Sequence, residues 1–108
     1  MPNSKAPEKT WSYSVVNNSW TGKFKKSVCT YYFYMDGDSP ARITKESWNN
    51  YFSVYVFSLD RQESTYFKTK TLESAKFESL IIAKGWGWDI TDQDLASWSK
   101  PEKMLMAF

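Results

Sequence analysis

Residues 65–90 constrain the fold more than any other stretch, because they spell strand, helix and strand without a break. In Thr65-Tyr66-Phe67-Lys68-Thr69-Lys70 the side chains alternate. Tyr66, Lys68 and Lys70 take one face of a strand, and Thr65, Phe67 and Thr69 take the other. Thr71 then offers a hydroxyl to the unpaired N–H groups of a new helix, and Glu73 sets a negative charge at its positive end. Leu72, Ala75, Phe77, Leu80, Ile81 and Ala83 recur at helical spacing opposite Glu73, Lys76 and Glu78, and Gly85 supplies the stop. The pattern predicts a helix over 72–84 with that apolar stripe turned inward. In Trp86-Gly87-Trp88-Asp89-Ile90 the alternation predicts a short strand rejoining the sheet, with Gly87 leaving room for a close approach.

Other strands follow from the same period-two test. Trp11, Tyr13 and Val15 alternate with Ser12, Ser14 and Val16, and the turn-forming run 17–22 predicts a hairpin to the next strand. That strand, within 23–35 and bent near Lys25-Lys26, has Cys29, Tyr31, Phe33 and Met35 on the side expected inward. Val28, Thr30, Tyr32 and Tyr34 face the other way. Residues 51–59 are dense in β-branched and aromatic side chains on both faces and read as a central strand, joined to residue 65 by a hairpin. Thr44–Asn50, opening on Thr with Glu46 and Trp48, suggests a turn or two of helix. Thr91-Asp92-Gln93-Asp94 is a second helix start, near 91–98. The apolar end, Met104-Leu105-Met106-Ala107-Phe108, is expected to pack back on the domain. The sum is an α+β fold: a mostly antiparallel sheet of about five strands with the main helix on one face.

A length of 108 residues holds one domain, taken as 11–108 after a flexible tail at 1–10, which is polar, carries two prolines and lacks periodicity. No apolar run approaches the roughly 18 residues of a membrane helix, and the N-terminus lacks a signal peptide's apolar core. A single cysteine, Cys29, cannot close an intramolecular disulfide, so a reducing, cytoplasmic setting is expected. The net charge of +2 creates no field that by itself calls for nucleic acid or an anionic membrane.

The absence of histidine narrows the chemistry sharply. Without an imidazole and with one thiol, the common zinc sites, the Ser-His-Asp triad and the Cys-His pair are all excluded within one chain. Asp36-Gly37-Asp38 lacks the further oxygen ligands of a calcium loop and reads as a turn. No pair of acids is singled out by spacing for carboxylate catalysis. The expectation is therefore a non-enzymatic domain that needs no cofactor or metal.

Aromatics then carry the functional reading. Six Trp, seven Tyr and seven Phe make 19% of the chain, more than one small core hides completely. Such rings favour a protein-binding module of the inhibitor, immunity or accessory-subunit kind, the sort of small protein that phages and mobile elements encode. Trp86, Trp88, Trp98, Met104, Met106 and Phe108 are its candidate contacts, and a second copy of the chain is an open partner. The alternative is single-stranded nucleic acid, with Lys25, Lys26, Lys68 and Lys70 at phosphates while Tyr32, Tyr34 and Tyr66 stack bases. No RNP-type motif accompanies that set, and lysines on an edge strand also serve to block edge-to-edge pairing. Strand order decides whether Tyr32 and Tyr66 share a face.

Overall fold

The computed structural model describes residues 9–18, 26–35, 37–100 and 102–107. Five strands run as an antiparallel meander: β1 (Trp11–Asn18), β2 (Lys26–Phe33), β3 (Ala41–Glu46), β4 (Phe52–Phe57) and β5 (Ser64–Thr69). Helix α1 (Leu72–Gly85) follows, then one turn of α2 (Asp92–Leu95), a 3-10 turn over Ala96–Ser99 and β6 (Lys103–Ala107). The sheet order is β5-β4-β3-β2-β1-β6, with β6 parallel to β1. The α+β architecture, the long helix on the sheet and the short second helix are as the residue pattern predicts. Residues 104–107 of the apolar C-terminal run return to the domain within a parallel edge strand, and Phe108 lies outside the described residues.

Helix α1 packs on β3, β4 and β5, while the 3-10 turn reaches β1 through the Trp11 indole N–H, which donates to Ser97 Oγ at 3.1 Å. One face of the sheet is thereby covered. Its core joins Trp11, Phe33, Ile43, Val54 and Val56 from the strands to Ala75, Leu80 and Ala83 from α1, with Trp88 and Ile90 sealing the end. The inward side expected for β2 is the observed one at Phe33 and Met35, both buried. Thr71 caps α1 as predicted, its hydroxyl accepting from Ser74 N–H at 3.1 Å.

Four expectations need correction. Residues 86–90 form no strand: the alternation correctly turns Trp88 and Ile90 inward, but the backbone makes local bonds such as Ile90 N–H to Trp88 O. Thr44–Glu46 belong to strand β3, because Ala41 and Ile43 already set an alternating inward face that outweighs the local cap signal. β4 has neighbours on both sides yet lies second from the edge, and β2 with β3 form the middle. The buried side of α1 is also rotated from the expected stripe. Lys76 and Ser79 are inside with Ala75, Leu80 and Ala83, while Phe77 and Ile81 are exposed. The buried lysine is paired: Lys76 Nζ reaches Glu102 Oε1 at 2.8 Å and Lys100 O at 3.3 Å, which compensates burial of its charge.

Lys9, assigned above to a tail, is engaged: its N–H donates to Tyr34 O at 2.7 Å and its ammonium lies 3.2 Å from Asp94. Residues 1–8 lie outside the described residues. Among the described residues, no helix is long and apolar enough to cross a membrane.

Candidate functional site: the open face of the sheet

Antiparallel register places directly opposed residues on one face. Following it across the sheet gives Ser12, Tyr32, Arg42, Tyr55 and Tyr66 in one line, on the face that α1 does not cover. The next line on that face is Ser14, Thr30, Thr44, Ser53 and Lys68. Tyr32 and Tyr66 do therefore face the same way, three strands apart.

Adjacent rings touch. Tyr55 and Tyr66 have centroids 4.8 Å apart, and Tyr32 and Tyr34 lie 5.7 Å apart. Both separations are within the range of attractive tilted pairs. Ser53 Oγ and Tyr66 Oη, at 3.4 Å, link the two lines.

Cations sit on these rings. Arg42 lies 4.8 Å from the Tyr55 centroid and 5.9 Å from that of Phe57, Arg61 lies 4.9 Å from Phe57, and Lys68 is 4.4 Å from Tyr51. Stacking of this kind holds long side chains in place. Of the acids at the margin, Asp38 pairs with Arg61, and Glu46 accepts from Asn49 Nδ2 at 2.8 Å. Arg42 is exposed and makes no hydrogen bond or ion pair with any described residue, so its five donors are available to a ligand.

The two turns at one end of this face are firmly built. Gly37 takes φ +79°, and Asp38 accepts from Ser39 N–H at 2.8 Å. In the β4–β5 turn Asp60 accepts from Ser58 Oγ at 2.7 Å and from Gln62 N–H at 3.0 Å, bonds that hold its carboxyl below the usual range. Burial, with Tyr32 beside it, raises the Tyr34 phenol, which stays protonated at neutral pH.

The sequence-derived residues separate by face. Tyr32, Tyr34, Tyr66 and Lys68 share the open face, and exposed Lys70 lies one residue past the end of β5. Lys26 begins β2, and Lys25 lies outside the described residues. The other set does not converge. Trp88 is only 8% exposed, with its indole N–H donating to Phe57 O at 2.8 Å, and Trp86 is half-buried against the core. Trp98, 42% exposed, borders a shallow apolar hollow with Phe77, Glu73 and Ser74 on the helix side. Met104 and Met106 stand in β6 at the far edge, opposite Tyr13 and Ser14, and Phe108 lies outside the described residues.

Arg42, Tyr55, Phe57 and Arg61 complete the open face and escape the sequence reading. Extending the alternation back from Thr44 to Ala41 would have placed Arg42 on it. Cys29 is a half-buried thiol raised by burial, and Tyr31 beside it is raised by burial as well, so neither is a ready nucleophile. No protein-family model matches the chain, and neither a curated protein nor a solved structure matches it. Fold and site define the class on their own: an α+β domain with one sheet face that no described helix covers, lined by tyrosines and cations.

Proposed function

We propose that this chain is a non-catalytic binding domain that lays single-stranded nucleic acid across its open sheet face. One observation carries the reading: Tyr32, Arg42, Tyr55 and Tyr66 form a single register line in which Arg42 lies over the Tyr55 ring and Tyr55 meets Tyr66 at a tilt. A ring-lined sheet face of this kind suits unpaired bases, because every base has a π-face. The cations beside the rings supply phosphate contacts. A thiol with no second cysteine to pair with accords with a reducing, cytoplasmic setting.

Fluorescence anisotropy of a labelled mixed single strand tests the proposal. Binding should be saturable and should weaken at least about tenfold between roughly 50 and 200 mM salt, as release of several counterions requires. A duplex of the same sequence should bind more weakly, since its bases are not free to stack. Absence of saturable binding at the lower salt removes the proposal.

A second reading, stoichiometric binding of a protein, draws on a different surface. Phe77 and Trp98 are 40% and 42% exposed around the apolar hollow on the helix side. Neighbouring exposed rings of this size are typical of interface anchors.

A further inference from the structure

The turn end of the open face holds a basin of about 240 Å³ lined by Tyr32, Tyr34, Asp38, Arg42, Phe57 and Arg61. We infer that this basin is a nucleotide subsite, in which Arg42 and Arg61 take a phosphate while Tyr32 and Tyr34 stack the attached base. The inference gives the ligand chemistry of the proposed nucleic-acid face and rests on that reading.

Three observations converge. Both guanidinium groups approach the same ring, Phe57, at 5.9 Å for Arg42 and 4.9 Å for Arg61, and both line the basin, where Asp38 pairs with Arg61 and no described acid pairs with Arg42. The donors are also unspent. Arg61 uses only Nη2, toward Asp38 and Ser39 O, which leaves Nε and Nη1 without an acceptor among the described residues. Arg42 donates to none of the described residues. Planar forks already stacked on rings lose little entropy when they grip a phosphate.

The third observation is backbone strain. Arg61 takes φ +62°, a left-handed conformation that glycine adopts at lower cost. Its N–H to Ser58 O bond of 3.0 Å, with the Asp60 bonds around it, holds the turn there. In this conformation the Arg61 guanidinium lies over Phe57. The basin is smaller than the roughly 300–1,000 Å³ of pockets that engulf a whole small molecule. It therefore suits one unit of a longer strand, with the remaining bases running on toward Tyr55 and Tyr66.

Adenosine monophosphate, adenosine and inorganic phosphate can each be titrated against isotope-labelled protein by NMR. The monophosphate should shift the Arg42 and Arg61 Nε–H signals and the amides of 37–39, and should bind at least about tenfold more tightly than adenosine or phosphate alone. Arg42→Gln, and Arg61→Gly, which suits the turn's φ, should each weaken it about tenfold, the worth of one bidentate contact. Shifts elsewhere, or variants that bind as the parent does, overturn the inference. A thymidine oligonucleotide of about 15 residues separates the two levels. If it binds and the monophosphate does not, the subsite fails while the face stands. If only the monophosphate binds, the strand-binding reading fails. Failure of both removes both.

Discussion

The Lys76 ammonium, on a side chain only 3% exposed, lies 2.8 Å from the Glu102 carboxylate and ties the middle of α1 to the residue that leads into β6. The two partners are unequally placed, since Glu102 keeps contact with water. Removing the acid strands a buried cation, whereas replacing the lysine with an apolar chain leaves a carboxylate that water can reach. Glu102→Ala should therefore cost about 3 kcal/mol and Lys76→Met about 1 kcal/mol or less. Urea denaturation of both variants checks the asymmetry, and equal losses would contradict it.

Gly87 takes φ +97°, and a Cβ added there would meet Leu59 Cδ1 at 3.1 Å. Here the sequence expectation of a close approach is met by a side chain from the β4–β5 turn. Gly87→Ala combines a disfavoured φ with a crowded contact and should cost at least about 1 kcal/mol. Leu59→Ala in the same background relieves only the contact, so thermal melting of the double variant should recover part of the loss and not all of it.

Asp94 closes a capping box with Thr91. Its Oδ2 accepts from Thr91 N–H at 2.9 Å, Thr91 Oγ1 accepts from Asp94 N–H at 3.1 Å, and Lys9 Nζ lies 3.2 Å away. Burial alone would raise the carboxyl, but the Thr91 bonds and Lys9 outweigh it, so its value falls below the ordinary 3.8. A lowered carboxyl adds stability that is fully present above 3.8 and is lost as pH falls through the lower folded-state value. Asp94→Asn should cost about 1 kcal/mol at neutral pH. Its melting temperature should also fall less than the parent's between pH 4 and 2, as circular dichroism would record.

Much of this fold is legible in the residues, and the failures share a physical cause. Strand alternation and the Thr71 cap report local preference, and they locate α1 to within a residue. They do not report whether a backbone finds a partner, which is why Trp86–Ile90 alternates correctly and still pairs with no strand. Helical periodicity also admits two neighbouring stripes on α1. On the buried stripe Lys76 meets Glu102, 26 residues on, a partner that no local pattern can see. The open face was half visible for the same reason. Tyr32, Tyr34, Tyr66 and Lys68 could be named singly, but Arg42 and Tyr55 join them only through the β3 register.

Tyr66, 47% exposed and 4.8 Å from Tyr55, is the residue on which the two functional readings part most cleanly. It belongs to edge strand β5, so truncation leaves the core intact, and surface changes of this kind usually move stability by no more than about 0.5 kcal/mol. Under the nucleic-acid reading Tyr66→Ala loses one stacking platform, worth about 1–3 kcal/mol, and the oligonucleotide dissociation constant rises roughly fivefold to a hundredfold. Trp98→Ala, on the opposite side of the molecule, should leave that constant unchanged. Anisotropy on the two variants, with melting curves to confirm their folds, measures both effects. The converse result, strand binding indifferent to Tyr66 and abolished with Trp98, would move the working surface from the sheet to the helix side.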